Sequence, residues 1–247
     1  MSKKHNILLI QFPLKGLIDR SMIDEDRHVV YPLGISYVAS VLGEHNVALF
    51  DPNTAKDHSG ELSSLIEKIK PDVIGLSIRV LINLQKNKDI LASIRSYVQY
   101  IKALSPHSTI CAGGSGFSLY ACKIMKEIED IDFGVFLSGE QSFLELLDHL
   151  DSPEKVKGIY YRKNGVVFFS GEREKTNFGN FFIPRRDLLD LKKYDPYPFS
   201  IGVRTKIGCG FHCIHCNYIF LNGNSLYLRP PEEVVDEIEQ LQRSRHE

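Results

Sequence analysis

Apolar residues in this chain fall into short unbroken runs, separated by stretches where they recur every third or fourth position. Unbroken runs of this length suit strands buried on both faces, and the three-to-four spacing suits amphipathic helices. Asn6 to Phe12 reads as a first strand, closed by Pro13. A polar, mixed segment from Leu14 to Val30 follows, where a ligand-binding loop would sit. Pro32 to Gly43 has helical spacing, with proline at its start and glycine at its end. Asn46 to Phe50 is a second strand and Gly60 to Lys70 a helix stopped by Pro71. Asp72 to Ile78 is a third strand, and Asn83 to Leu104 has room for a longer helix. Thr109 to Ala112 is a fourth strand that runs into Gly113-Gly114-Ser115-Gly116. A helix from Phe117 to Glu129, a fifth strand from Phe133 to Leu137 and a helix from Ser138 to Leu150 complete the series. Strand and helix alternating through short connections predict an α/β fold with an open, doubly wound, parallel five-stranded sheet.

After Leu150 the period changes. Lys157 to Ser170 reads as a hairpin turning at Asn164-Gly165, since Asn-Gly between β-rich runs favours a tight turn. Glu172 to Ser200 is irregular and rich in charge and proline, and reads as a connector. Ile201 to Ile207 reads as a strand. A last helix starts at Pro230-Pro231, with Val234, Ile238 and Leu241 on one face. The domains are therefore placed at 1–155, 156–199 and 200–247. One strand, one loop and one helix cannot bury their own apolar face. The reading thus predicts a piece of a longer protein. Its first ~170 residues should fold independently, and its last ~45 should pack on that domain or stay partly disordered.

Composition narrows the class. With 43% hydrophobic and 25% charged residues among 247, the chain is an ordinary globular protein. A net charge of −1 offers no field for nucleic acid or an anionic membrane. No apolar run is long enough to span a bilayer, and the N-terminal residues read as a first strand rather than a signal peptide. Five cysteines, three of them in one loop, fit a reducing cytoplasm better than a disulfide framework. Cys111 and Cys122 read as buried small hydrophobes.

That loop is Cys209-Gly-Phe-His-Cys213-Ile-His-Cys216, the pattern C-x-x-x-C-x-x-C. Three thiolates on one tight loop can face one inorganic centre, and soft sulfur ligands favour zinc or an iron–sulfur cluster. Structural zinc sites draw four ligands from separated pairs. Here His212 or His215 would have to complete a zinc site inside the same eight residues. A 4Fe-4S cluster with three protein ligands has no such crowding, and leaves one iron open.

The pattern resembles the radical S-adenosylmethionine (radical SAM) enzymes. The lead-in Gly202-Val-Arg-Thr-Lys-Ile-Gly-Cys209 and the later Arg229-Pro-Pro-Glu-Glu-Val-Val-Asp-Glu-Ile-Glu-Gln-Leu241 resemble that family too. The resemblance implies that Cys209, Cys213 and Cys216 hold the cluster. Its open iron would bind SAM, and an electron would split the sulfonium to release a deoxyadenosyl radical. His215 stands where relatives carry an aromatic residue near the adenine. Ile207-Gly208 stands where many carry Arg-Gly.

The order of parts resembles the cobalamin-dependent subfamily. The pieces that carry this are Tyr31-Pro-Leu-Gly-Ile-Ser-Tyr-Val-Ala, Pro71-Asp-Val-Ile-Gly-Leu-Ser77, Cys111-Ala-Gly-Gly-Ser115, Leu137-Ser-Gly-Glu140 and Ile183-Pro-Arg-Arg-Asp-Leu-Leu-Asp190. The resemblance implies cobalamin on the carboxyl edge of the sheet. Gly113, Gly114 and Ser115 would line its nucleotide tail, with Leu33, Gly34, Ser77, Gly139 and Glu140 nearby. Asp26-Arg-His28 lies in the loop where other cobalamin proteins place a cobalt-ligating histidine, but Tyr31 replaces the expected glycine. His28 reads as a surface loop residue. The implied activity is methyl transfer to an unactivated carbon of a small-molecule substrate, with cyclisation or rearrangement as the rival outcome in the same class, fed by an external electron donor such as a flavodoxin or ferredoxin. A sheet domain that binds no cobalamin and docks substrate or protein is the second reading. A zinc-binding regulatory protein is the third.

Overall fold

The computed structural model describes residues 3–13, 29–79, 90–173, 182–196 and 200–246. His28, most of the predicted loop from Leu14 to Val30, residues 83–89 of the predicted helix and parts of the connector lie outside the described residues.

The first strand, β1 (Asn6–Gln11), shows how the sheet is built. Its Ile7, Leu8, Leu9 and Ile10 are almost fully buried. Successive side chains of a strand point to opposite faces. Leu8 and Ile10 enter one core with Ile74, Leu76 and Ile110, whereas Ile7 and Leu9 enter a second with Val73 and Cys111. A strand apolar on both faces needs a helical layer on each. The first core is covered by α2 (His58–Ile69), α3 (Ile90–Leu104) and α4 (Ser115–Glu127). The second is covered by α1 (Leu33–Ser40) and α5 (Gly139–Asp148). Each Ile or Leu so buried contributes roughly 1.5–3 kcal/mol relative to exposure.

The strands β2 (Asn46–Phe50), β3 (Val73–Ser77), β4 (Thr109–Gly113) and β5 (Phe133–Val135) pair in parallel with β1 in the order β2-β1-β3-β4-β5. The direction of winding reverses between β1 and β3, so a crevice opens at their carboxyl ends. The hairpin strands β6 (Ile159–Lys163) and β7 (Val166–Phe169) continue the same sheet antiparallel beyond β5. Asn164 and Gly165 both take positive φ, as a tight hairpin turn needs. Helix ends shift by about two residues from the periodicity where a cap decides them. Asp57 accepts the Gly60 N–H and starts α2 at His58 rather than Gly60.

The connector is less irregular than its composition implies. It forms single helical turns at Arg186–Leu188 and Leu191–Tyr194. Tyr194 is fully buried, meets Tyr31 edge-on at 5.3 Å and donates to Asp51 Oδ2 at 2.7 Å. Ser200 accepts from the Tyr31 N–H, which fastens the connector's far end to the segment before α1.

Three expectations are corrected. The strand placed at Ile201 to Ile207 contracts to β8 (Lys206–Ile207), which pairs antiparallel with β9 (Tyr227–Leu228). Among the described residues it has no parallel neighbour to lengthen it. Cys111 is buried but Cys122 is exposed, because the inward face of α4 is filled by Ala121, Ile124 and Met125. In the last helix, α7 (Pro231–His246), Ile238 stays exposed and the most buried residue is Glu237. A carboxylate is tolerated there because Arg186 and Arg229 both pair with it.

Candidate functional site

Register places three side-chain positions in one row across the carboxyl edge. Gln11 pairs with Ser77, and Ser77 with Gly113. All three line a cleft of about 490 Å³. Its floor reaches between the sheet and helices α1 and α5, where Leu9, Ile35, Val38, Cys111, Val135 and Phe143 make an apolar slot. Burial pushes the Cys111 thiol well up from its ordinary range, so it stays a neutral lining group. The mouth is polar, with Ser77, Arg79, Ser115, Glu140 and Arg204.

The loop after β4 is held by its backbone. Gly114 has φ +100°, and a Cβ there would lie 2.7 Å from the Ile78 carbonyl oxygen. That oxygen accepts from the N–H groups of Gly116 and Phe117 at 2.9 and 3.1 Å, which pins the loop to the end of β3. Only glycine fits so tight an approach at positive φ. Ser115 Oγ donates to the Arg79 carbonyl at 2.9 Å. Ser118 Oγ donates to the Gly114 carbonyl and accepts from the Leu137 N–H at 2.9 Å, which ties this loop to the one after β5. Leu137 has φ +60°, a left-handed backbone that non-glycine residues adopt at a cost, and it too faces the cleft.

The predicted residues Leu33, Gly34, Ser77, Gly113, Gly114, Ser115, Gly139 and Glu140 all line this one cleft. His215 does not; it lies exposed on the cysteine loop. Sequence reasoning missed Gln11, Arg79, Leu137 and Arg204. Gln11 and Arg79 end strands that were recognised, so their places were available from the strand boundaries. Arg204 gives no local signal, because it reaches the cleft from the far end of the chain.

The outer wall of the cleft comes from that far end. Gly202, Arg204, Ile207, Leu221 and Asn222 line it, the last two from α6 (Tyr218–Asn222). Phe220 meets Phe136 edge-on at 6.0 Å and holds α6 near the end of β5. The Arg204 guanidinium lies over the Tyr37 ring, 4.1 Å from its centroid. Burial raises the Tyr37 phenol above its ordinary range, with the Arg204 charge opposing. Behind this wall, Arg186 pairs with Glu237 at 2.5 Å and donates to the Gly202 carbonyl at 2.7 Å. Arg229 pairs with the other oxygen of Glu237.

The cysteine loop is closed at its base by the β8–β9 pair. Gly208 takes φ +81° against the Ser225 carbonyl, where any side chain would collide. The Cys209 N–H donates to the Gly223 carbonyl at 3.3 Å. Cys209 is half-buried, and Cys213 and Cys216 are exposed; all three are free thiols. Among the described residues, no three His, Cys, Asp or Glu side chains converge as a preformed metal site. The donor set is nonetheless soft and free of carboxylates, which suits iron–sulfur ligation.

Residues 20–147 match the B12 binding domain family. That span is more than half of the chain, and the chain belongs to the B12-binding domain family. A B12-binding domain followed by a connector and a C-x-x-x-C-x-x-C loop is the order of parts in the cobalamin-dependent radical SAM enzymes. The chain is 28% identical over 214 residues to an uncharacterized methyltransferase of Pyrococcus horikoshii, covering 84% of this chain and 45% of that protein. It is 24% identical over 264 residues to the cytidylyl-2-hydroxyethylphosphonate methyltransferase of Streptomyces wedmorensis, covering 84% and 48%. Its fold matches that of TsrM, a radical S-adenosylmethionine methyltransferase from Kitasatospora setae solved with cobalamin and a 4Fe-4S cluster bound. The TM-score is 0.69 at 18% identity, over 98% of this chain and 46% of that one. The chain thus spans about half the length of the curated relatives it matches. Among the described residues, no helix is long and apolar enough to cross a membrane.

Proposed function

We propose that this chain is the cobalamin-holding and cluster-bearing portion of a radical SAM methyltransferase that acts on an unactivated carbon of a small molecule. The observation that carries the proposal is the shared cleft. One wall is made by the loops of the B12-binding domain, and the other by the segment that bears the three cysteines. The relatives named as methyltransferases support the reaction class.

The cleft fits cobalamin by shape and chemistry. Its apolar slot suits a flat benzimidazole, and its polar mouth suits the amide-rimmed corrin. Gly113, Gly114 and Ser115 would hold the nucleotide tail, and Leu33, Gly34, Ser77, Gly139 and Glu140 the rest. Bound cobalamin supplies methyl-transfer chemistry, and a 4Fe-4S cluster supplies the electron that cleaves SAM. The chain's own work is to bind and orient. Cys209, Cys213 and Cys216 present thiolates, and the hydrogen-bonded base of their loop keeps Cys209 in place. Cys213 and Cys216 are exposed, so the loop is open to SAM, which His215 would help to hold. An external donor such as a flavodoxin or ferredoxin would deliver the electron, in the reducing cytoplasm.

The test is anaerobic incubation with hydroxocobalamin, desalting and the corrin absorbance of the protein fraction. Near-stoichiometric retention supports the reading. A folded chain that retains none would overturn it in favour of a docking module. In a parallel arm of anaerobic reconstitution, zinc without iron or sulfide would favour a regulatory zinc protein.

A further inference from the structure

Two guanidinium groups, those of Arg79 and Arg204, face the cleft. Neither has a carboxylate partner among the described residues. They differ in how they are held. Arg79 is exposed at the end of β3. Arg204 is half-buried, and its guanidinium carbon sits 4.1 Å from the centroid of the Tyr37 ring, itself almost fully buried on α1. A cation–π contact of this kind holds the guanidinium against the ring without using its N–H donors in hydrogen bonds. The Tyr37 hydroxyl is buried with no hydrogen-bond partner of its own, so it does not occupy those donors. By contrast, the neighbouring Arg186 and Arg229 are each paired with Glu237. Glu140 also lines the mouth but is ion-paired with neither arginine among the described residues, and a guanidinium held in a cleft without a paired carboxylate can receive an oxyanion.

We infer that Arg204 binds the phosphodiester of the cobalamin nucleotide loop. The inference rests on the cobalamin reading above and deepens it. The side chains of the corrin are neutral amides, so the phosphodiester is the one fixed anion on the molecule. It lies between the benzimidazole and the corrin. In this cleft that corresponds to the passage from the apolar slot to the polar mouth, which Arg204 lines from its place over Tyr37 of α1. Arg204 also lies outside residues 20–147, the part that matches the B12-binding domain. The cluster-bearing segment thus supplies a contact to the cofactor of the preceding domain. Cobalamin binding would draw the two regions together through one charge-assisted hydrogen-bond pair.

The experiment compares cobalamin with cobinamide, which keeps the corrin and lacks the nucleotide loop and its phosphodiester. Dissociation constants would be measured by equilibrium dialysis for the unaltered chain, Arg204→Met and Arg204→Lys, with far-UV circular dichroism as the fold check. The expected result is a roughly 10- to 100-fold loss of cobalamin affinity in Arg204→Met, a smaller loss in Arg204→Lys and no change for cobinamide. Unchanged cobalamin affinity in Arg204→Met would overturn the inference and leave the residue to a substrate anion. Equal losses for both corrinoids would overturn it too, since the effect would then be packing rather than phosphate recognition. If the unaltered chain bound neither corrinoid, the cobalamin reading itself would fall, and this inference with it.

Discussion

The two ends of the molecule solve different problems. From β1 to α5 the chain closes its own core, and strand after strand is apolar on both faces and covered on both. From β8 to α7 it does not. Phe211 is 77% exposed, Ile214 is fully exposed and Leu228 is 69% exposed. The first region therefore shapes a site with walls, floor and pinned loops. The second presents reactive groups on a loop and leans on the first for support. That support is polar as much as apolar. Leu241 packs on the small cluster of Val29, Tyr31, Leu191 and Tyr194, but the most buried residue of α7 is Glu237 between two arginines. A cleft can thus be preformed by a sheet, whereas the three-cysteine loop is marked out only by the chemistry of its thiols.

The sharpest way to break the comparison is at the cysteines. Replacing Cys209, Cys213 or Cys216 by Ala should abolish iron and sulfide uptake in anaerobic reconstitution and leave corrin retention unchanged. Loss of both together would show that the two regions are not separable sites. Next comes the junction. Glu237→Leu leaves Arg186 without its counter-ion and Arg229 with Glu233 alone, a defect worth roughly 3–5 kcal/mol. It should make α7 sensitive to limited proteolysis while the strands and helices from β1 to β7 stay protected; Glu237→Gln, which keeps hydrogen-bond acceptance, should be milder. Equal protection of α7 in Glu237→Leu would mean that the ion cluster is not what fastens it.

A smaller effect is expected within the sheet domain. Gly114→Val forces a branched side chain into positive φ against the Ile78 carbonyl, at a cost of roughly 1–3 kcal/mol in backbone strain alone. Denaturant midpoint and corrin retention should both fall. The smallest effect lies at the opposite end of the sheet. His45 accepts from the His5 N–H, and its pKa is lowered, chiefly by burial and then by the nearby His5. The folded chain therefore binds fewer protons than the unfolded chain just below the ordinary value of 6.5. Stability should decline as pH falls through that value. His45→Asn, which keeps an acceptor and does not titrate, should flatten the decline in denaturant midpoints between pH 5 and 7.

Much of the fold was legible along the chain because buried parallel strands announce themselves. Nothing polar interrupts Ile7-Leu-Leu-Ile10 or Val73-Ile-Gly-Leu76. The Asn164-Gly165 turn was legible for the same kind of local reason, a backbone that few other pairs adopt. The C-terminal unit was less so. Spacing alone put Ile238 on the buried stripe of α7, but a helix face is chosen by what it meets. Here it met Arg186, 51 residues earlier in the chain.

The sequence by itself determined the class of sheet, the glycine-rich loop at its carboxyl edge and a soft three-thiol donor set, because each is written in adjacent residues. Only the tertiary structure decided that Gln11, Ser77 and Gly113 stand in one row, that β6 and β7 extend the sheet, and that Arg204 enters the cleft over Tyr37. Those facts depend on strand register and on contacts between distant segments, which local periodicity does not encode.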